Sequence, residues 1–227
     1  MDRYSLIHTG MRREFVLLQG RGCNWGKCTF CNYHEDVSAS PFEINRPVLE
    51  RVTGEYGVLD IINSGSAMEL DDETVELIKR VVVSKNIHTL WFEAHFMYRN
   101  RLIAFAQQFA PAKVKFRCGI ESFDPQQRKR WNKGIPDRVT VADVARHFHG
   151  ICLLCCSADD SRERILADIE TASRYFEYFS VNLFCDNGTP VRRSEELVSW
   201  FKDTVYPTLK DIPTIEVLLE NTDLGVG

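Results

Sequence analysis

The chain has 227 residues, 44% of them hydrophobic and 26% charged, with a formal net charge of −4 from 28 basic and 32 acidic side chains. That length suits one domain with its own core, and no run approaches the roughly 18 consecutive apolar residues of a membrane span. The acidic balance argues against a surface that grips a nucleic-acid backbone, where phosphate neutralisation supplies most of the affinity.

Met1-Asp2-Arg3-Tyr4 lacks the apolar run of a secretory signal, so a cytoplasmic location is expected. Short apolar runs then alternate with longer amphipathic stretches, the pattern of βα units around a parallel sheet. No repeat, low-complexity tract or linker interrupts them, which predicts one domain over 1–227. The first strand is Phe15-Val16-Leu17-Leu18, followed by a cysteine-bearing loop over about 20–41. A short helix is expected near Pro47–Thr53, then a strand over Val58–Ile62, and a helix opened by Asp71 and Asp72 with Val75, Ile78 and Val82 on one face.

The third strand is His88–Glu93, and the helix after it carries Leu102, Ile103, Phe105, Ala106 and Phe109. A fourth strand spans Val114–Ile120. Asp124-Pro125 starts the next helix and Asn132-Lys133-Gly134 stops it. A strand near Ile151–Cys156 precedes a helix with Ile165, Leu166, Ile169 and Ala172 at core spacing; Ser180–Phe184 is the sixth strand. Ser194 caps a last helix before a short strand over Thr214–Leu219. Six or seven units are too few for a closed eight-fold barrel of about 250 residues, so a partial (β/α)6-type TIM-like barrel of parallel strands is expected. Ligands in such folds sit at the carboxyl ends of the strands.

Cytosolic disulfides are rare, so eight cysteines call for metal, catalysis or burial. Cys23, Cys28 and Cys31 crowd onto the loop after the first strand, at the active end. A [4Fe–4S] cluster normally takes four cysteines; three leave one iron open to an outside ligand. The alternative is zinc held by the same cysteines and His34, in a binding module without catalysis. Cys152, Cys155 and Cys156 lie on an apolar strand whose side chains alternate faces, and are expected in the core. His147 and His149 precede that strand at the wrong end for a site. Arg12-Arg13, Arg128-Lys129-Arg130 and Arg192-Arg193 read as clusters with acidic neighbours or on solvated helix faces.

The three cysteines, with Phe30 just before the last, resemble the signature of the radical S-adenosylmethionine superfamily, although the gaps here are four and two residues where three and two are usual. Asn63-Ser64-Gly65-Ser66-Ala67 follows the second strand, where the superfamily receives the methionine amino group. Trp91-Phe92-Glu93-Ala94-His95, Cys118-Gly119-Ile120-Glu121-Ser122 and Asn132-Lys133-Gly134, in that order, resemble members related to the Elongator catalytic subunit and to archaeosine synthesis. The resemblance covers about residues 14–205.

It implies a [4Fe–4S] cluster on the three cysteines, S-adenosyl-L-methionine beside Phe30, Ser64, Gly65, Ser66, Glu121 and Ser122, and a one-electron reductant such as flavodoxin or ferredoxin. Glu93, His95, Tyr98, Asn182, Asp186 and Asp223 are candidates for contacting the substrate. Little chain lies beyond the barrel, so a small nucleoside or nucleotide is expected, with nucleic acid and membrane disfavoured. The length, the four-residue cysteine gap and the kinship with tRNA-modification branches resemble the bacterial queuosine-salvage lyases. That resemblance implies release of queuine from queuosine or its 5′-phosphate, by ribose hydrogen abstraction and glycosidic scission. A radical tRNA-modifying enzyme working with a partner subunit is the other catalytic reading.

Overall fold

A computed structural model describes residues 2–226; Met1 and Gly227 lie outside the described residues. Strand β1 (Tyr4–Ile7) runs antiparallel to β2 (Arg13–Leu18). From β2 onward, β3 (Val58–Asn63), β4 (Thr89–Glu93), β5 (Lys113–Glu121), β6 (Gly150–Cys155), β7 (Tyr178–Leu183) and β8 (Ile215–Leu218) add in chain order, each parallel to the last. The sheet curls until Arg13 of β2 meets Glu216 of β8 at 2.8 Å, although those two strands do not pair among the described residues. The result is the expected partial barrel, with seven parallel strands.

Alternation along each strand decides which side chains face the lumen. Leu59, Ile61, Leu90, Phe92, Phe116, Ile151, Phe179 and Val181 turn outward and are buried beneath the helices. Helix α1 (Pro41–Glu50), α2 (Asp72–Ser84), α3 (Leu102–Gln107), α4 (Pro125–Arg130), α5 (Val141–Ala145) and α6 (Arg162–Tyr175) join the strands; α7 (Glu195–Trp200) and α8 (Tyr206–Leu209) flank a π-helical turn over Phe201–Val205. The predicted faces of α2 and α6 are buried through Val75, Ile78, Val82, Ile165, Ile169 and Ala172. Each of the valine and isoleucine side chains among them contributes about 1.5–3 kcal/mol. No helix among the described residues is long and apolar enough to cross a membrane.

Several expectations are corrected. The helix expected from Pro47 starts at Pro41, behind Ser40, and keeps Pro47 inside it. An interior proline costs about 3 kcal/mol, and burial of Asn45, Val48 and Leu49 offsets it here. Ile103 and Leu166 are exposed rather than packed. Arg13 and Arg128 are buried, not solvated: Arg13 lies in the lumen, and Arg128 donates to the carbonyls of Ser122 and Phe123 at the end of β5. β1 and α5 were not expected, since half-buried Tyr4–Ile7 and a five-residue helix carry little periodic signal.

Candidate active site

The cysteine loop leaves β2 at a point held from two sides. Asn45 of α1 accepts from Gln19 N at 2.7 Å and donates to Gln19 O at 2.9 Å, and Gly20 N donates to Ser64 Oγ at 2.9 Å. Cys23, Cys28 and Cys31 follow as half-buried free thiols. Gly26, at φ 54°, turns the chain so that its N–H points to Cys23 Sγ at 3.4 Å. Burial pushes the Cys28 thiol up to about 11, against the pull of Lys133, and raises that of Cys31 as well. Metal binding would therefore release protons from both.

Among the described residues, no group of three or more His, Cys, Asp or Glu gathers as ligands of a single ion. The thiols as they stand are therefore not drawn round a single zinc ion, which takes its ligands at about 2.0–2.3 Å. A [4Fe–4S] cube spreads its ligands over four irons and normally takes four cysteines; the three on this loop would leave one iron open.

Residues far apart in sequence clamp this loop. Glu69, in the single helical turn Ala67–Glu69, accepts from Asn24 N at 3.0 Å and Tyr98 OH at 2.7 Å through one oxygen, and from Ser66 N at 2.7 Å through the other. Gly65 keeps that arrangement open, because a Cβ there would lie 2.1 Å from Glu69 Oε2 and 3.2 Å from Cys23 Cα. Trp25 stacks on His95, with centroids 5.9 Å apart, and donates to Asn132 O at 2.7 Å. Gly134, at φ 73°, leaves the space that the Trp25 ring occupies. Asn132 Nδ2 donates to Lys27 O at 2.9 Å. The Asn-Lys-Gly segment thus acts as a seat for the cysteine loop.

His95 sits in this clamp as the neutral Nε2–H tautomer: Nε2 faces the Lys133 carbonyl at 2.7 Å and Nδ1 accepts from Met97 N at 3.1 Å. Burial, joined by the Lys133 charge, pushes it down from 6.5 to about 4. An unfolded chain gains a proton in that window which folded His95 refuses. Stability is therefore lost as pH falls through it, by at most about 1.4 kcal/mol per pH unit. H95Q is expected to flatten the slope of unfolding free energy between about pH 4.5 and 6.5 in apo-protein; an unaltered slope would contradict a neutral buried imidazole.

Lys133 Nζ pairs with Glu121 Oε1 at 2.8 Å, both largely buried, and lies 5.6 Å from the Phe30 ring. Burial works against the ammonium, but Glu121, together with the nearby Cys28 and Cys118, more than offsets it, and the pKa is raised. Glu121 holds φ 65° beside a register shift in β5. Gly119 makes room for the pair, since a Cβ there would fall 2.7 Å from Glu121 Oε1 and 3.2 Å from Lys133 Nζ. Glu69 carries no signal in the sequence, and Lys133 enters there only within the Asn132-Lys133-Gly134 segment, with no role of its own.

The other candidates separate by position. Glu93 and Asn182 face the lumen from β4 and β7, and Cys152 Sγ donates to Glu93 Oε1 at 3.3 Å. Cys152 is buried as expected, but within the lumen rather than the outer core. His95 and Tyr98 have their polar groups committed to the clamp. Ser64 and Ser66 accept from Gly20 N and His95 N. Ser122 Oγ donates to Asp168 Oδ2 at 2.6 Å, toward α6. Asp186 accepts from Arg193 N, and Asp223 from the amides of Leu219 and Glu220, in exposed segments.

No protein-family model and no curated protein matches the chain. Among solved structures it is similar to a queuine lyase from Clostridium spiroforme, bound to SAM and queuine, with 39% identity and a TM-score of 0.95. The match covers 100% of this chain and 99% of that one.

Proposed function

The chain belongs to the queuine lyase family of radical S-adenosylmethionine enzymes, and from that premise we propose that it releases queuine from queuosine or its 5′-phosphate. The observation that carries this reading is the full-length match to a lyase bound to SAM and queuine, made by a chain whose loop after β2 carries three free thiols. A [4Fe–4S] cluster and S-adenosylmethionine, when bound, supply a 5′-deoxyadenosyl radical that can take hydrogen from an unactivated carbon.

Cys23, Cys28 and Cys31 are the residues that would hold the cluster, and Phe30 packs beneath them against Trp131, with centroids 5.4 Å apart. Glu69 and the Trp25–His95 stack fix the loop against the strand ends. Glu121 and Lys133 place a matched pair of charges beside the thiols, where the charged ends of S-adenosylmethionine would be met. Gly65 lies against Cys23, with Ser64 and Ser66 on either side of it in the chain, and Ser122, next to Glu121 in the chain, is tied to Asp168 of α6. A flavodoxin- or ferredoxin-type donor is the reductant this chemistry needs.

Anaerobic protein reconstituted with iron and sulfide should consume S-adenosylmethionine under reduction. It should yield 5′-deoxyadenosine together with free queuine from queuosine or its 5′-phosphate. Cofactor cleavage with no queuine from either nucleoside would reject the substrate while leaving the radical chemistry in place.

A further inference from the structure

Polar groups inside the barrel divide into two sets. The lower set is closed on itself. Arg13 binds Asp60 at 2.7 Å and Glu216 at 2.8 Å, Arg117 Nη1 donates to Asp60 at 2.9 Å, and Tyr178 OH donates to Glu216 at 2.8 Å. Two guanidiniums face two carboxylates there, so this layer carries no net charge. Glu93, at the end of β4, adds a carboxylate beyond that balance.

Glu93 is poorly served by the protein. Arg117 Nε is 3.6 Å from Glu93 Oε1, too far for a hydrogen bond, and that buried nitrogen has no partner. The Cys152 thiol, a weak donor, makes the one hydrogen bond that Glu93 receives among the described residues. About a third of the Glu93 side chain, 32%, stays open to the lumen, and burial, opposed by Arg117, raises its pKa. Across the same lumen, Asn182 of β7 has its buried Oδ1 without a donor. Its neighbour toward the floor, Ser180, stands level with Cys152. A buried acceptor left unpaired is unfavourable; Asn182 Oδ1 is one, and the partly open Glu93 carboxylate facing the same lumen has acceptor capacity to spare, so a ligand there should bring hydrogen-bond donors.

A carboxylate is matched best by two parallel N–H groups on one planar edge. The 2-aminopyrimidinone edge of a deazaguanine has that arrangement, in its ring N1–H and its 2-amino group. A cationic arm would also be drawn by the charge of Glu93, but a single ammonium does not present two parallel N–H groups on one planar edge. Resting on the queuine-releasing reading above, we infer that Glu93 is the base-recognition residue, its carboxylate receiving N1–H and the 2-amino N–H of the deazaguanine ring, with the Asn182 amide completing the contact from β7.

The test is equilibrium binding of queuine, 7-deazaguanine and 7-deazahypoxanthine, which lacks the 2-amino group, to anaerobic holoenzyme. Wild type should prefer the two 2-amino bases by about 30-fold or more. E93Q should lose about that much for both and discriminate by less than about threefold, with iron content and S-adenosylmethionine affinity kept; N182A should lose about tenfold. If E93Q weakens queuine alone, the carboxylate meets the amine arm and the edge assignment is overturned; unchanged affinities would overturn it too. If wild type binds 7-deazaguanine through Glu93 yet frees no queuine from either nucleoside, the substrate reading falls and the edge assignment stands. Binding of none of the three bases would sink both.

Discussion

Alanine at any one of Cys23, Cys28 or Cys31 is expected to bring cluster iron to near background and to cut 5′-deoxyadenosine formation by more than about 100-fold. Changes one shell out from a metal ligand already cost 10–100-fold in affinity or activity, and loss of a ligand itself exceeds that. The loop over residues 20–41 carries no further cysteine to act as a replacement. The contrast that gives the experiment force is Cys155. It is buried among apolar neighbours, 3.8 Å from Cys156 Sγ, on the β6 face turned away from Cys152. C155A should retain full iron on anaerobic reconstitution. Iron analysis and the visible spectrum of all four variants decide the matter. Equal iron loss in C155A and C28A would show that the loop thiols are not the cluster ligands.

K133M should be the most destabilising single change near the site. It leaves Glu121 buried without its partner, and breaking one side of a buried pair costs about 3–5 kcal/mol. Domains are stable by only about 5–15 kcal/mol in total, so a substantial share is lost. Removing both charges in E121M/K133M should restore stability to within about 1–2 kcal/mol of wild type, because an uncharged pair needs no solvation. Affinity for S-adenosylmethionine should stay about tenfold or more below wild type in that double variant. Urea unfolding of apo-protein and titration of holoenzyme with the cofactor measure the two effects separately. A double variant as unstable as K133M would mean that packing, not charge pairing, holds this corner.

Much of this protein was legible in its sequence because the relevant physics is local. Apolar periodicity of two and of three to four placed the strands and the longer helices, and Asp71, Asp124 and Ser194 cap α2, α4 and α7 as read. The cysteine loop was legible too, since three thiols within nine residues restrict what a chain can do with them. Local signals were weakest where an element is short or its sequence ambiguous. That is why β1 and α5 went unseen and why α1 was started at the wrong proline.

What only the tertiary structure decided is which side chains meet. Arg13, Asp60, Arg117 and Glu216 lie on four strands, and each alone reads as a solvated charge; curling of the sheet alone brings them into one buried layer. Glu69, Tyr98, Trp25 and Gly134 likewise become a clamp through contacts spanning tens of residues. The sequence by itself determined the family resemblance, through the spacing of the cysteines and the order of the strand-end motifs, because spacing along a loop survives whatever the rest of the chain does. Which of those polar groups stay unmatched in the lumen, as Glu93 and Asn182 do, is a property of closure: burial makes an acceptor costly, and only packing reveals whether a donor is beside it.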